Sequence, residues 1–254
     1  MGAGHAHALH VHGHSPVHRL PPEVKIASSV LFTIAVVATP REAFWAFGAY
    51  ALIVAGVAAV ARIRPLWLLT RSLIELPFVV LALALPFVGS GARVDWLGMS
   101  LSVDGLYGAW NIVAKGTLGV LSSLLLAATT NSRDLLAGLD RLRCPQLVTQ
   151  IAAFMLRYLE VIGAEARRMR VAQLSRGYNP RFLWQVKAYA SGLGALFLRA
   201  FERGERVYLA MVARGYSGRM PFSLGDRAAS GREWAAGAVV PVLAAGIATL
   251  AVVS

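Results

Sequence analysis

Six histidines stand within the first 18 residues: His5, His7, His10, His12, His14 and His18. Imidazole is the commonest protein ligand for transition metals, and closely spaced histidines on a flexible chain can chelate Co2+, Ni2+ or Zn2+. The tract is interleaved with Ala, Leu, Val and Gly, unlike a contiguous purification tag. It reads as an auxiliary metal-binding segment, with a neutral tail as the plain alternative. Ligand affinity order alone would favour nickel over cobalt, so the tract does not name the metal. A second chemical feature occurs twice. Ser175-Arg176-Gly177-Tyr178 and Ala213-Arg214-Gly215-Tyr216 lie 38 residues apart, and the same shift lays Arg168 on Arg206, Ala172 on Ala210 and Arg181 on Arg219. A guanidinium presented at a chain tip can enter an acidic pocket and donate a bidentate, charge-assisted pair of hydrogen bonds. The third feature is Arg71 with Glu75, spaced i,i+4 in an apolar stretch. There they would pair on one helix face and lower the cost of carrying charge in lipid, or face a partner subunit.

What the apolar stretches lack is equally informative. They hold no histidine and no cysteine, and Glu75 is their one carboxylate. A metal-conducting path needs several oxygen, nitrogen or sulfur ligands facing a cavity, so a metal cargo would be recognised on another subunit. The phosphate-cradling loop Gly-x-x-x-x-Gly-Lys-[Ser/Thr] is absent, since Ala114-Lys115-Gly116-Thr117 carries its lysine in the wrong order. The chain is therefore not expected to be an enzyme that hydrolyses ATP. An integral-membrane enzyme of another kind would need a nucleophile or paired acids near a membrane surface, and Glu75 alone does not supply them. Cys144 is the single cysteine and cannot pair within the chain.

Positioning these groups falls to elements built for lipid. The 254 residues are 57% hydrophobic and 15% charged, where soluble domains carry about 25% charged residues. Spans of roughly 20 apolar residues cross a bilayer. Candidates are Ile26–Thr39 (short), Ala43–Ala61, Leu66–Val88, Leu106–Thr130 and Ala235–Val253, with Pro77 and Pro86 kinking the third. The first 25 residues lack the pattern of a signal peptide. The expected fold is all-α, a polytopic membrane protein with about five transmembrane helices. Its parts are a His-rich segment 1–24, membrane helices in 25–130, a polar segment 131–232 and a final membrane helix in 233–254.

The net charge of +12 is concentrated. Segment 131–232 holds 17 of the 25 basic residues against seven acids, a net of +10. The positive-inside rule puts it in the cytoplasm with the N-terminus. The short loops agree: 89–105 falls outside with Arg93, Asp95 and Asp104, and 62–65 falls inside with Arg62 and Arg64. Lys115 would snorkel or meet a neighbouring helix. Net positive charge could suggest nucleic acid, but apolar helix stems beside membrane spans argue against that partner and for membrane lipids.

Within 131–232 two long helices are expected, Gln146–Ser175 and about Phe182–Ala213, each apolar first and basic later. Glycine tolerates the left-handed conformation that ends a helix, so Gly177 and Gly215 are natural terminators. An arginine in the last turn also complements the helix dipole. That accounts for one Arg-Gly; two on two long helices suggest paired prongs offered to a partner. Met155, Met169, Met211 and Met220 lie at or near these helices, as core or as a surface that repacks.

With these residues the chain, from about Leu20 to Ser254, resembles the transmembrane (T) component of energy-coupling-factor (ECF) transporters, a branch of the ABC transporters. Within it the chain is most similar to the CbiQ-type subunit of cobalt importers. Ser175 stands in the first motif where alanine is also common. The resemblance implies two cytoplasmic coupling helices whose ends (Ser175, Arg176, Gly177 and Ala213, Arg214, Gly215) dock on two ATPase subunits. It also implies a substrate-binding (S) membrane subunit, ATP-Mg bound by the partners, and a place in the bacterial inner membrane. Nickel or a vitamin such as biotin are alternative substrates. A stand-alone divalent-metal transporter fed by the His tract is the alternative of another kind.

Overall fold

The computed structural model describes residue 11 and residues 13–89, 93–96, 99–178, 187–218 and 228–253. His5, His7, His10 and His12, the 182–186 start of the second long helix, and Arg181, Arg219 and Met220 lie outside them. The described elements in chain order are α1 (Pro16–Arg19), α2 (Pro22–Ala38), α3 (Phe44–Val60), α4 (Pro65–Ser72), α5 (Leu76–Val88), a hairpin of β1 (Arg93–Trp96) and β2 (Met99–Ser102), α6 (Val103–Thr129), α7 (Ser132–Arg141), α8 (Gln146–Ser175), α9 (Lys187–Ala213) and α10 (Gly231–Val253). Apart from that antiparallel hairpin, in which Arg93 faces Ser102 and Trp96 faces Met99, the ordered elements are helical. The fold is that of an all-α polytopic membrane protein.

Among the described residues four helical stretches are long and apolar enough to cross a membrane: Pro65–Val88, Val103–Thr129, Gln146–Ser175 and Gly231–Val253. Phe44–Val60 is a shorter apolar helix. Two of the expected spans are thus short, since α2 and α3 have 17 residues each. At 1.5 Å per residue that is about 25 Å, below the roughly 30 Å of hydrocarbon. The Pro65–Val88 stretch is broken where Pro77 predicts. Proline at position i cannot bond to the carbonyl at i−4, and Leu73–Glu75 tightens into a 3-10 turn before α5 resumes.

The chain divides into two compact units, 7–142 with 226–254, and 143–225. In the first, α2 packs against α6, α7 and α10, and α5 lies along α6. Its core joins Phe32, Phe47 and Tyr50 to small residues such as Ala46, Ala128 and Ala244, which let helices approach closely. Several polar groups inside are paired, as a medium without water favours. The Thr39 hydroxyl donates to the Ala35 carbonyl and lies 2.8 Å from the Tyr50 hydroxyl, which reaches the Ala244 carbonyl at 3.3 Å. Ser29 and Ser122 bond across α2 and α6 at 2.9 Å. Lys115 meets a neighbouring helix rather than snorkelling: its Nζ donates to the Val37 carbonyl at 2.8 Å. The outer faces carry bare apolar side chains, among them Leu52, Ile74, Leu83, Val242 and Leu250.

The second unit contains α8 and α9, packed against each other and antiparallel. The Tyr216 hydroxyl reaches Gln150 at 3.1 Å, Arg199 reaches Glu165 at 2.7 Å, and Gly192 lies against Gln173.

Candidate functional site

Each Arg-Gly tip ends its helix with the same hydrogen-bonded cap. At the end of α8, Gly177 N–H donates to the Leu174 carbonyl and Tyr178 N–H to the Gln173 carbonyl, both at 3.0 Å. At the end of α9, Gly215 N–H donates to Val212 at 2.9 Å and Tyr216 N–H to Met211 at 3.0 Å. This paired 5→2 and 6→1 pattern is the Schellman motif, which needs a left-handed residue after the cap. Gly177 and Gly215 supply it with φ of +75° and +86°. The repeat seen in sequence is thus a repeat of local geometry.

The caps fix where the arginines stand. Arg176 and Arg214 occupy the cap position itself, one residue before the glycine, and both are exposed. Neither takes part in an ion pair among the described residues, whereas Glu165 of the same unit is bridged by Arg168 at 2.8 Å and Arg199 at 2.7 Å. Because α8 and α9 run antiparallel, Arg214 lies at the end of the pair that holds Gln150, and Arg176 lies at the other end. Gln150 and Arg176 are 26 residues apart on one helix, about 39 Å. The unit therefore presents two exposed guanidinium groups at opposite ends of a helix pair. The stems between them expose large apolar side chains: Ile151, Met155 and Leu159 on α8, and Leu193, Phe197 and Phe201 on α9.

Sequence reasoning did not find Glu165. Its i,i+3 contact with Arg168 was legible, but the link to Arg199 on α9 joins residues 34 apart and needed the fold. Nor did it find Glu23, whose partner Arg141 lies 118 residues away.

The expected Arg71–Glu75 pair is not formed. The i,i+4 rule holds for α-helix, whereas the 3-10 turn at Leu73–Glu75 rotates about 120° per residue and takes Glu75 off the face of Arg71. The Arg71 guanidinium instead lies 4.5 Å from the centre of the Trp67 ring, a cation–π contact. Glu75 is buried, 5% exposed, with no hydrogen-bond partner on Oε1. Its carboxylate presses on α6 at Gly116, where a Cβ would collide with Oε1. That carboxylate is the mobile end of a side chain and can give way, whereas Gly105→Ala would drive a Cβ into the α5 backbone at Leu85 and Pro86 and should cost about 1–3 kcal/mol. Gly119→Ala, which meets open space, should leave the Tm in detergent unchanged, and a thermal melt of both variants checks this.

Two of the six histidines are described. His18 has both ring nitrogens engaged, Nδ1 with the Ser15 hydroxyl at 2.7 Å and Nε2 with the Val11 carbonyl at 3.1 Å. A carbonyl can only accept, so Nε2 carries a proton, and the Ser15 hydroxyl can donate to Nδ1 of the neutral ring or accept from the charged one. The segment it folds closes the end of α6: Val11 N–H donates to the Ala128 carbonyl, and Lys25 Nζ bridges the Thr129 and His18 carbonyls. Burial, then the charges of Lys25 and His14, hold His18 below the ordinary histidine value, against the opposing hydrogen bond to Val11. An unfolded segment therefore binds the proton first, and the docked form loses stability as pH falls below about 6.5. The protection factor of the Val11 amide, corrected for intrinsic exchange, should fall over that interval, and His18→Gln should remove the dependence.

A multi-pass membrane protein with two capped arginine tips on a separate helical unit is the class that fold and site define. Comparison with known proteins supplies the family. The CbiQ family, described as cobalt transport protein, matches residues 13–223, and the chain belongs to it. It is 32% identical to the cobalt transport protein CbiQ of Rhodobacter capsulatus over 56% of this chain and 60% of that protein. It is 30% identical to the energy-coupling factor transporter transmembrane protein EcfT of Bacillus selenitireducens, over 82% of each. A putative fused cobalt transport protein CbiMQ of Methanocorpusculum labreanum is 25% identical over 81% of this chain and 36% of its own length. The chain is thus of a family of transporter components.

Proposed function

We propose that this protein is the T component of an ATP-driven ECF-type cobalt importer, joining two ATPase subunits to a substrate-binding membrane subunit. One observation carries the reading: the same arginine-bearing helix cap is built twice, exposed and without an ion pair among the described residues, at the two ends of α8 and α9. Two equivalent tips suit two equivalent acidic pockets, one on each ATPase. ATP-Mg binds and is hydrolysed on those partners. The exposed apolar stems of α8 and α9 suit the substrate-binding subunit and the underside of the bilayer.

On this reading α8 lies on the cytoplasmic side of the inner membrane despite its apolar first half. Crossing would bring Arg157, Glu160, Glu165, Arg167, Arg168 and Arg170 into or near hydrocarbon, which is costly for each. The N-terminus shares that side, in keeping with the docking of Val11 at the end of α6, from which the chain runs on into α7. The His tract then meets Co2+ or Ni2+ after import rather than selecting it outside. Radiolabelled Co2+ uptake by proteoliposomes tests the reading. Uptake is expected only when this chain is reconstituted with both partner types and ATP. Transport by the purified chain alone would make it a stand-alone transporter.

A further inference from the structure

Glu23 opens α2 and is 3% exposed. Its carboxylate accepts from two donors. Arg141 Nη1 reaches Oε1 and Oε2 at 3.2 Å each, and Ala229 N–H reaches Oε1 at 3.0 Å. The two donors belong to opposite ends of the same insertion. Arg141 ends α7, after which the chain enters 143–225, and Ala229 lies in the short stretch by which it returns to α10.

Both attachments are close-fitting. α7 lies so near the first turn of α2 that a Cβ on Gly138 would stand 2.9 Å from Glu23 N and from Pro22 C. On the return side Ser230 and Glu233 form a reciprocal capping box. Ser230 N–H donates to Glu233 Oε2 at 2.7 Å, and Glu233 N–H donates to Ser230 Oγ at 3.4 Å. The Ala229 donor is therefore held firmly just ahead of α10. A buried carboxylate with one donor would be an ordinary structural pair. This one gathers both chain crossings of the insertion onto a single helix, and that helix also packs on α6 and α10.

We propose that Glu23 is a positioning residue of the transporter, clamping both roots of the α8–α9 segment to α2 so that movement of that segment is passed to the membrane helices. The proposal rests on the T-component reading. Without the clamp the ATPases would still seat on the Arg176 and Arg214 tips and still turn over. Their movement would reach α2 through slack connections.

The test uses the complex isolated with its ATPases and substrate-binding subunit and reconstituted in liposomes, read as Co2+ taken up per ATP hydrolysed. Glu23→Gln keeps the shape and an acceptor for Ala229 but removes the charge that holds Arg141. The expected result is normal ATPase capture, ATP hydrolysis near the wild-type rate, and uptake per ATP lowered about ten-fold. Arg141→Lys, which keeps the charge, should retain most of the coupling. Should Glu23→Gln fail to assemble, Glu23→Gln combined with Arg141→Gln leaves no orphaned charge and is read the same way. Unchanged uptake per ATP in an assembled variant would overturn the proposal. So would failure of both variants to assemble, which would make Glu23 a folding residue only. If the wild-type chain captures no ATPase, the T-component reading falls first and takes the clamp with it.

Discussion

Replacing Arg176 and Arg214 together by alanine is expected to abolish capture of the ATPases and all ATP-driven uptake, while the chain itself remains folded. Both side chains are exposed and make no ion pair among the described residues, so their loss should change stability by no more than about 0.5 kcal/mol. Truncating one partner of a buried, hydrogen-bonded charge pair at an interface costs about 2–5 kcal/mol. Two such losses at the lower figure make about 4 kcal/mol, close to a thousand-fold in affinity. Each single variant should retain one seated tip and show an intermediate loss. If the arginines only completed their helices, each would contribute about 0.3–1 kcal/mol to the helix and nothing to assembly. Co-purification of the ATPases with each variant, beside a thermal melt, separates the two outcomes.

The second large effect should come from the glycines. Gly177 and Gly215 have φ of +75° and +86° with open space around them, so only the backbone resists a side chain there. The left-handed conformation costs other residues roughly 1–2 kcal/mol, and a β-branched residue is the least suited to it. Gly177→Val with Gly215→Val should release the 6→1 bonds to Gln173 and Met211 and swing both arginines away from their present direction. ATPase capture should fall nearly as far as in the double arginine variant, although every charge is still present. Asparagine, which tolerates this conformation, should be much milder at both sites. Helical content by circular dichroism should stay close to wild type in all of them, because only the final turns are disturbed.

How much of this was legible in the sequence depended on range. The tips were, because a Schellman cap is made within six residues and leaves its mark as a glycine after a long apolar-to-basic helix. The break at Pro77 was legible for the same reason. The Arg71–Glu75 pair was misread because the i,i+4 rule assumes regular α-helix, and three residues of 3-10 turn intervene. The hairpin of β1 and β2 leaves in the sequence only the mark of a polar loop between two apolar stretches. α8 shows the limit of hydropathy: its length and composition match a membrane span, and only its place between basic loops and its arginine-rich second half argue otherwise. The links that organise the molecule, Glu23 to Arg141 and Glu165 to Arg199, join distant residues of ordinary type. Glu23 follows two prolines at a helix start, where an acid is unremarkable by itself.

The central claim is that two capped arginine tips seat two ATPases. It is tested most directly by solubilising the wild-type protein from native membranes, isolating it by affinity, and weighing the intact assembly by native mass spectrometry. The expected mass is that of one copy of this chain with two ATPase subunits and a small membrane protein, with the ATPases lost when Arg176 and Arg214 are both alanine. An assembly without ATPases, or one that the double variant leaves intact, would contradict it.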